Sequence, residues 1–149
     1  MVGLERAREL SSQESGLAVV IAHRQDGSPY ASVVNAAVVD HPIAGGPVVA
    51  FVARGETRKL PNLRLHPRVT VVFRSGWDWI AVEGDAELAG PHDPLHGLAR
   101  SDLPSLLREI YAAAAGGSPD DWQELDAVMA EEGHTAVLVQ SVRCYSSSV

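Results

Sequence analysis

The stretch PVVAFVARGETRKLPNLRLHPRVTVVF, residues 47–73, holds two apolar runs with a basic cluster between them. The first run, PVVAFVA over 47–53, is β-branched and aromatic and predicts a strand; RVTVVF over 68–73 predicts another. Between them Thr57 stands where a helix N-cap would, and Pro61 falls in the first turn, where a missing N–H costs least. Leu60, Leu63 and Leu65 give this short helix an apolar face. His66-Pro67 ends it, because the residue before proline is pushed out of the α region. Arg54, Arg58, Lys59, Arg64 and Arg68 crowd into this segment, and Lys59 is the only lysine in the chain.

Working outward, apolar runs and turn signals alternate. LERAREL predicts a short amphipathic helix ended by Ser11, Ser12 and Gly16. GLAVVIAH (16–23) reads as a strand, and Asp26-Gly27 is a hairpin signal leading into YASVVNAAVV (30–39). DHPIAGG makes the turn before the third strand. WDWIAVEGDAEL (77–88) predicts a long fifth strand with a bulge at Gly84. LHGLARSDLPSLLREIYAAAA (95–115) reads as helix interrupted near Pro104. A second helix follows, with Ser118 as cap, Pro119 as first residue, and Asp120 and Asp121 favouring its positive end. HTAVLVQSVRCYS (134–146) closes the chain as a strand, with a frayed SSSV tail. Five strands, a helical pair and a closing strand predict a mainly β, antiparallel small barrel in one domain spanning 1–149. Regular βαβ alternation is absent, which disfavours a dinucleotide-binding sheet.

Composition narrows the function. The formal net charge is −7 and the isoelectric point about 5.2, so a basic nucleic-acid face is not expected. No stretch has the length of a transmembrane helix. The N-terminus shows no signal-peptide pattern, and the lone Cys144 fits a reducing compartment, so the expectation is a cytoplasmic protein with no membrane partner. His92 and His96 flank Asp93 but lack a third ligand, so no metal site is expected. His23, His41, His66 and His134 read as structural, with His23 or His134 the candidates to lie near a pocket. No Ser-His-Asp set, P-loop or GxGxxG pattern is legible.

The basic cluster has two readings. A loop that enters a helix presents free N–H groups and a favourable dipole to an anion. Arg58 and Lys59 add charge there, and Asn62 lies one turn on from Arg58. A solvated basic face that balances Glu56 accounts for the same residues.

The whole run resembles the pyridoxamine 5'-phosphate-oxidase-like, flavin-binding split-barrel family. Thr57-Arg58-Lys59, Asn62-Leu63-Arg64 and His66-Pro67-Arg68-Val69 carry the resemblance. DGSPYASVVNAAVV before them and GWDWIAVEGDAEL after them extend it. PDDWQELDAVMAEEGHTAVLVQSVRCY resembles the branch that binds the deazaflavin coenzyme F-420. The resemblance implies a six-stranded split barrel with a short helix after strand 3, a homodimer, and cofactor sites at its interface. It implies that Thr57, Arg58 and Lys59 hold the cofactor phosphate with support from Asn62. Val52 and Ala53 would lie along the ring system, Ser32 and Asn35 on the second strand would contact it, and Trp77 and Trp79 would close the partner's site. Ser32 and Ala37 stand where the FMN-dependent oxidases carry basic residues, which weakens the case for FMN. Arg54, Arg64 and Arg68 are candidates for an acidic cofactor tail. The implied activity is hydride transfer from reduced coenzyme F-420 to a conjugated small-molecule acceptor, with no catalytic acid identified. The alternatives are an FMN-dependent oxidoreductase and a non-catalytic binder of a flavin, a deazaflavin or haem.

Overall fold

The computed structural model describes residues 3–115 and 119–147. Among them the elements follow the order α1 (Leu4–Gln13), β1 (Leu17–His23), β2 (Pro29–His41), β3 (Gly45–Ala53), α2 (Lys59–Leu65), β4 (Arg68–Ser75), β5 (Asp78–Ala89), α3 (Leu103–Ala115), α4 (Trp122–Glu131) and β6 (Thr135–Ser146). One turn of 3-10 helix, Arg100–Asp102, leads into α3. The strands close into a barrel in the ring order β1-β2-β3-β6-β5-β4, every pair antiparallel.

Two cores share the sheet. Val20, Phe51, Val71, Phe73, Val82 and Val137 point into the barrel, where Ala7 and Leu10 of α1 and Leu60 and Leu63 of α2 join them. Outside the barrel, Val39, Val48, Ala50, Ala136 and Leu138 meet Leu106, Leu107 and Ile110 of α3 and Met129 of α4. Val48–Phe51 of β3 and Ala136–Val139 of β6 are therefore covered on both faces. That is why these stretches are unbroken apolar runs and not alternating ones. The outward residues Leu17 and Val19 of β1 and Val33 of β2 remain exposed, and Val19 pairs with both Val33 and Val72.

The Asp26-Gly27 hairpin forms, with Asp26 accepting hydrogen bonds from the Ser28 backbone N–H and hydroxyl. The bulge at Gly84 also forms: Gly84 pairs with Ser141 and Glu83 with Arg143, so Val142 is the extra residue on β6.

Several boundaries differ from expectation. Residues 95–99 are not helical, and Pro104 does not interrupt a helix but sits in the first turn of α3, where its ring is tolerated. Ser118 lies outside the described residues. Pro119 precedes α4 without starting it, and Asp121 is the cap: its carboxylate accepts the backbone N–H groups of Gln123 and Glu124. Thr57 does not cap α2 either. Its hydroxyl donates to the Arg54 carbonyl, and Arg58 occupies the cap position without a side-chain bond. Ser11 and Ser12 lie inside α1 and do not end it; the Ser11 hydroxyl donates to the Ala36 carbonyl on β2. The tail is partly held, since Ser146 pairs with Ile80 and the Ser147 N–H donates to the Trp79 carbonyl.

Gly16 joins α3 to the barrel. Its φ is +76°, and a Cβ there would run into the Ala114 carbonyl oxygen. Its own carbonyl accepts the Ala36 N–H at 2.7 Å. Gly16→Ala should lower stability by about 1–2 kcal/mol from the left-handed backbone alone, with a further loss from displacing α3. Chemical denaturation of the two proteins measures it.

Candidate functional site

The register of the ring brings two distant segments together. Ala53, the last residue of β3, pairs with Thr135, the first of β6. Arg54 therefore leaves the sheet beside His134. The Gly55 N–H donates to the Glu132 carbonyl at 3.0 Å, and a Cβ on Gly55 would come within 2.9 Å of the Gly133 oxygen. Glycine at position 55 is what lets the two turns touch.

These turns form the polar end of a cleft of about 420 Å³. Its floor is the outer side of β2 and β3, with Val33, Asn35 and Val52; Val34 and Ala53, which pack with the barrel core, also border it. Ile110 and Tyr111 of α3 and Leu125 and Met129 of α4 form its far wall. Arg54, Thr57, Lys59, Glu132 and His134 line the polar end. An apolar slot with a few convergent polar groups is the usual form of a small-molecule site. The helical wall is held as a unit. Arg108 of α3 forms a two-point ion pair with Asp126 of α4 and lies over the Trp122 ring. Tyr111 meets Trp122 edge to face.

At the polar end Lys59 and His134 are partly desolvated, whereas Arg54 and Glu132 are exposed. Burial, then the nearby Arg54 guanidinium, holds the Lys59 ammonium below its ordinary range. Burial also pushes the His134 imidazole below its ordinary 6.5; Glu132 opposes this and Arg54 adds to it. Both His134 ring nitrogens are buried without a hydrogen-bond partner. Nε2 lies 3.3 Å from a Glu132 carboxylate oxygen, but not in hydrogen-bond alignment.

Of the residues singled out from sequence, Asn35, Val52, Ala53, Thr57 and Lys59 line this cleft. The Asn35 amide donates to the Ser15 carbonyl at 2.9 Å, leaving its oxygen free to accept. Arg58 and Asn62 do share a face of α2, but it borders a second hollow, with Arg24, Tyr30 and Pro61. Successive helical residues diverge by about 100°, which separates Arg58 from Lys59. Ser32 does not line the cleft. Strand alternation puts it on the inward side of β2 with Ala36 and Val38, and its hydroxyl is buried without a partner. Trp77 and Trp79 do not share a strand face, because Trp77 is in the β4–β5 turn and 95% exposed. Trp79 meets Tyr145 edge to face with ring centroids 6.0 Å apart. Arg64 and Arg68 are ion-paired with Asp93 and Asp85, and neither lines the cleft. His23 borders none of the clefts described. Among the described residues no three metal-ligating side chains converge, and no helix is long and apolar enough to cross a membrane.

A sequence model described as pyridoxamine 5'-phosphate oxidase matches residues 5–132. The chain belongs to that family. Its fold recurs in solved structures of low sequence identity. A conserved hypothetical protein from Mycobacterium tuberculosis is 17% identical, with a TM-score of 0.69 over 98% of this chain and 84% of that one. An F-420 reductase is 14% identical, with a TM-score of 0.58 over 89% of this chain and 91% of that one. A pyridoxamine 5'-phosphate oxidase-related, FMN-binding protein from Nostoc punctiforme is 12% identical, with a TM-score of 0.59 over 96% and 79%. No curated protein sequence matches significantly. Membership places the chain in a flavin-binding family that includes oxidoreductases.

Glu132, Tyr111 and the α4 residues were not legible as site residues, because no local motif marks them. His134, one of the two histidines expected to lie near a pocket, does line the cleft. Its lowered imidazole has a consequence for stability. The unfolded chain protonates first as pH falls, so the folded state is stable above about pH 6.5 and loses stability below it. His134→Gln should therefore lose less stability than the wild type between about pH 7.5 and about pH 5.5. Denaturation midpoints at the two pH values measure the difference.

Proposed function

We propose that the protein is an oxidoreductase that uses reduced coenzyme F-420 to reduce a conjugated small molecule. The observation that carries this reading is the electropositive end, Arg54 with Lys59, of an otherwise apolar cleft built on β2 and β3. The donor set fits a planar cofactor with an anionic arm. Val33 and Val52 offer an apolar floor bordered by Ala53, Asn35 offers an acceptor oxygen, and Lys59 and Thr57 offer contacts to phosphate. His134 adds two unpartnered ring nitrogens at the same end.

When bound, a reduced deazaflavin supplies the hydride. The chain's own work is to bind, to orient and to exclude water. The α3–α4 wall covers one side of the floor, which stays open at Val33, and Tyr111 and Met129 narrow the slot. Arg58 and Asn62, across α2 from Lys59, border a hollow of about 280 Å³ with Arg24, which suits outlying carboxylates of a long cofactor better than its first phosphate.

FMN is the second reading, favoured by family membership and by the Nostoc neighbour. The second strand speaks against it. Ser32 faces inward and Ala37 is buried, so neither place offers the cations that grip FMN in the family's oxidases. Fluorescence titration of the purified protein with each cofactor decides between them. Tighter binding of coenzyme F-420, followed by acceptor-dependent oxidation of its reduced form, is the expected result; the reverse preference makes this an FMN protein. Binding without turnover makes it a carrier. Lys59→Ala should weaken the preferred cofactor by about 1.5–3 kcal/mol, the range for a lost charge-assisted bond.

The reading includes a homodimer. The outward side of β1 and β2 exposes Leu17, Val19 and Val33, at 49%, 38% and 66%, and it adjoins the cleft through Val33. A second copy seated there would bury this stripe and complete the open side of the slot. Val19→Arg should convert the dimer to monomer in light scattering and weaken cofactor binding with it; a wild-type monomer would remove the interface from the proposal.

A further inference from the structure

The polar end of the cleft concentrates nitrogen groups with little to answer them. Arg54, Lys59 and His134 all line it. Arg54 acts on both of the others, disfavouring the charged form of each. Among the described residues, the Arg54 guanidinium has a single, long acidic contact, 4.0 Å to the exposed Glu56. Among them too, Glu132 is the one carboxylate lining the cleft, and it sits beside His134 without a hydrogen bond to it. The Thr57 hydroxyl already donates to the Arg54 carbonyl, and Tyr111 approaches from α3. Those groups are the titratable and charged surroundings of His134 from every wall of the cleft.

His134 is 16% exposed in its side chain and has neither ring nitrogen satisfied. Buried polar groups are nearly always hydrogen-bonded, and an orphan pair on one ring points to a partner that arrives from outside. The partner's sign follows from the surroundings. A neutral imidazole has one donor and one acceptor, whereas an imidazolium has two donors. An anion in the cleft relieves the Arg54–Lys59 repulsion and gives a protonated His134 an acceptor. A cation would add to the repulsion.

We propose that His134, with Arg54 and Lys59, forms a proton-coupled anion site, in which His134 takes up a proton as the phosphate of the ligand binds. The proposal rests on the cleft being the cofactor site and adds a regulatory property to it. Without the anion, His134 stays neutral near neutral pH, because burial and Arg54 oppose its charge. With the anion, its titration moves upward. By linkage, anion affinity then rises as pH falls through the bound-state value, and levels off below the free-state value.

The test is a pH titration of the His134 imidazole by NMR on the histidine-labelled protein, assigned through bonds. It is run alone, with saturating inorganic phosphate and with saturating FMN. The expected result is a rise of about one pH unit or more with phosphate and with FMN, which corresponds to about tenfold tighter anion binding by the protonated form. Arg54→Gln should raise the titration of the anion-free protein and shrink the further rise on binding. His134→Gln should bind phosphate with a flatter pH profile.

If FMN binds and His134 does not move, the proposal falls while the cofactor reading stands. If phosphate moves His134 but neither FMN nor coenzyme F-420 binds, the anion site stands and the cofactor reading falls. If neither phosphate nor FMN moves it, His134 is not an anion ligand.

Discussion

The insertion of β6 between β3 and β5 is the pairing on which the molecule depends. The first five strands are made from the first 89 residues, yet the ring does not close until a strand from the other end of the chain enters it. That closure has three effects. It buries Val137 and Val139 in the barrel and Ala136 and Leu138 outside it. It obliges α3 and α4 to cross the outer face on the way back. It also sets Thr135 against Ala53, which delivers Glu132 and His134 to the basic loop. The cleft is thus a by-product of sheet topology: one wall is strand, one is the return path, and the polar end is where the two meet.

The fold was largely legible because its cues are local. Each strand carries its own β-branched run, Asp26-Gly27 marks its own hairpin, and Gly84 marks the point on β5 opposite which β6 bulges at Val142. Helix boundaries were less legible where a cue had two meanings. Proline at 104 fits a break in a long helix and equally the first turn of a shorter one, and the loop packing around Leu95 and Leu98 decides for the second. At the start of α4, three acidic or hydroxyl residues compete for one cap, and Asp121 holds it.

The site was legible in part, for a reason of periodicity. Thr57 and Lys59 stand in the basic loop that the sequence marks, and Asn35, Val52 and Ala53 came from the family resemblance, which carries strand positions over one by one. Ser32 and Asn35 differ by an odd number of positions, so an untwisted strand sends them to opposite sides. Arg58 and Lys59 diverge for the helical version of the same reason. His134 and Glu132 lie some seventy-five positions beyond Lys59, and nothing in a linear reading joins them to it. Only the β3–β6 register does.

The neutralisation of Arg64 and Arg68 by Asp93 and Asp85 bears on how fast an anion can arrive. The field seen from afar is that of a protein of net charge −7 however its charges are paired, and it repels; the pairing removes the local attraction that those two arginines would add near the surface. Attraction begins only near the mouth of the cleft, inside a Debye length of about 10 Å at 0.1 M salt. Added salt screens the distant repulsion first and reaches the partly desolvated Lys59 and His134 last. Moderate ionic strength therefore speeds the encounter with an anionic partner, the opposite of the behaviour of a protein whose basic residues all face outward.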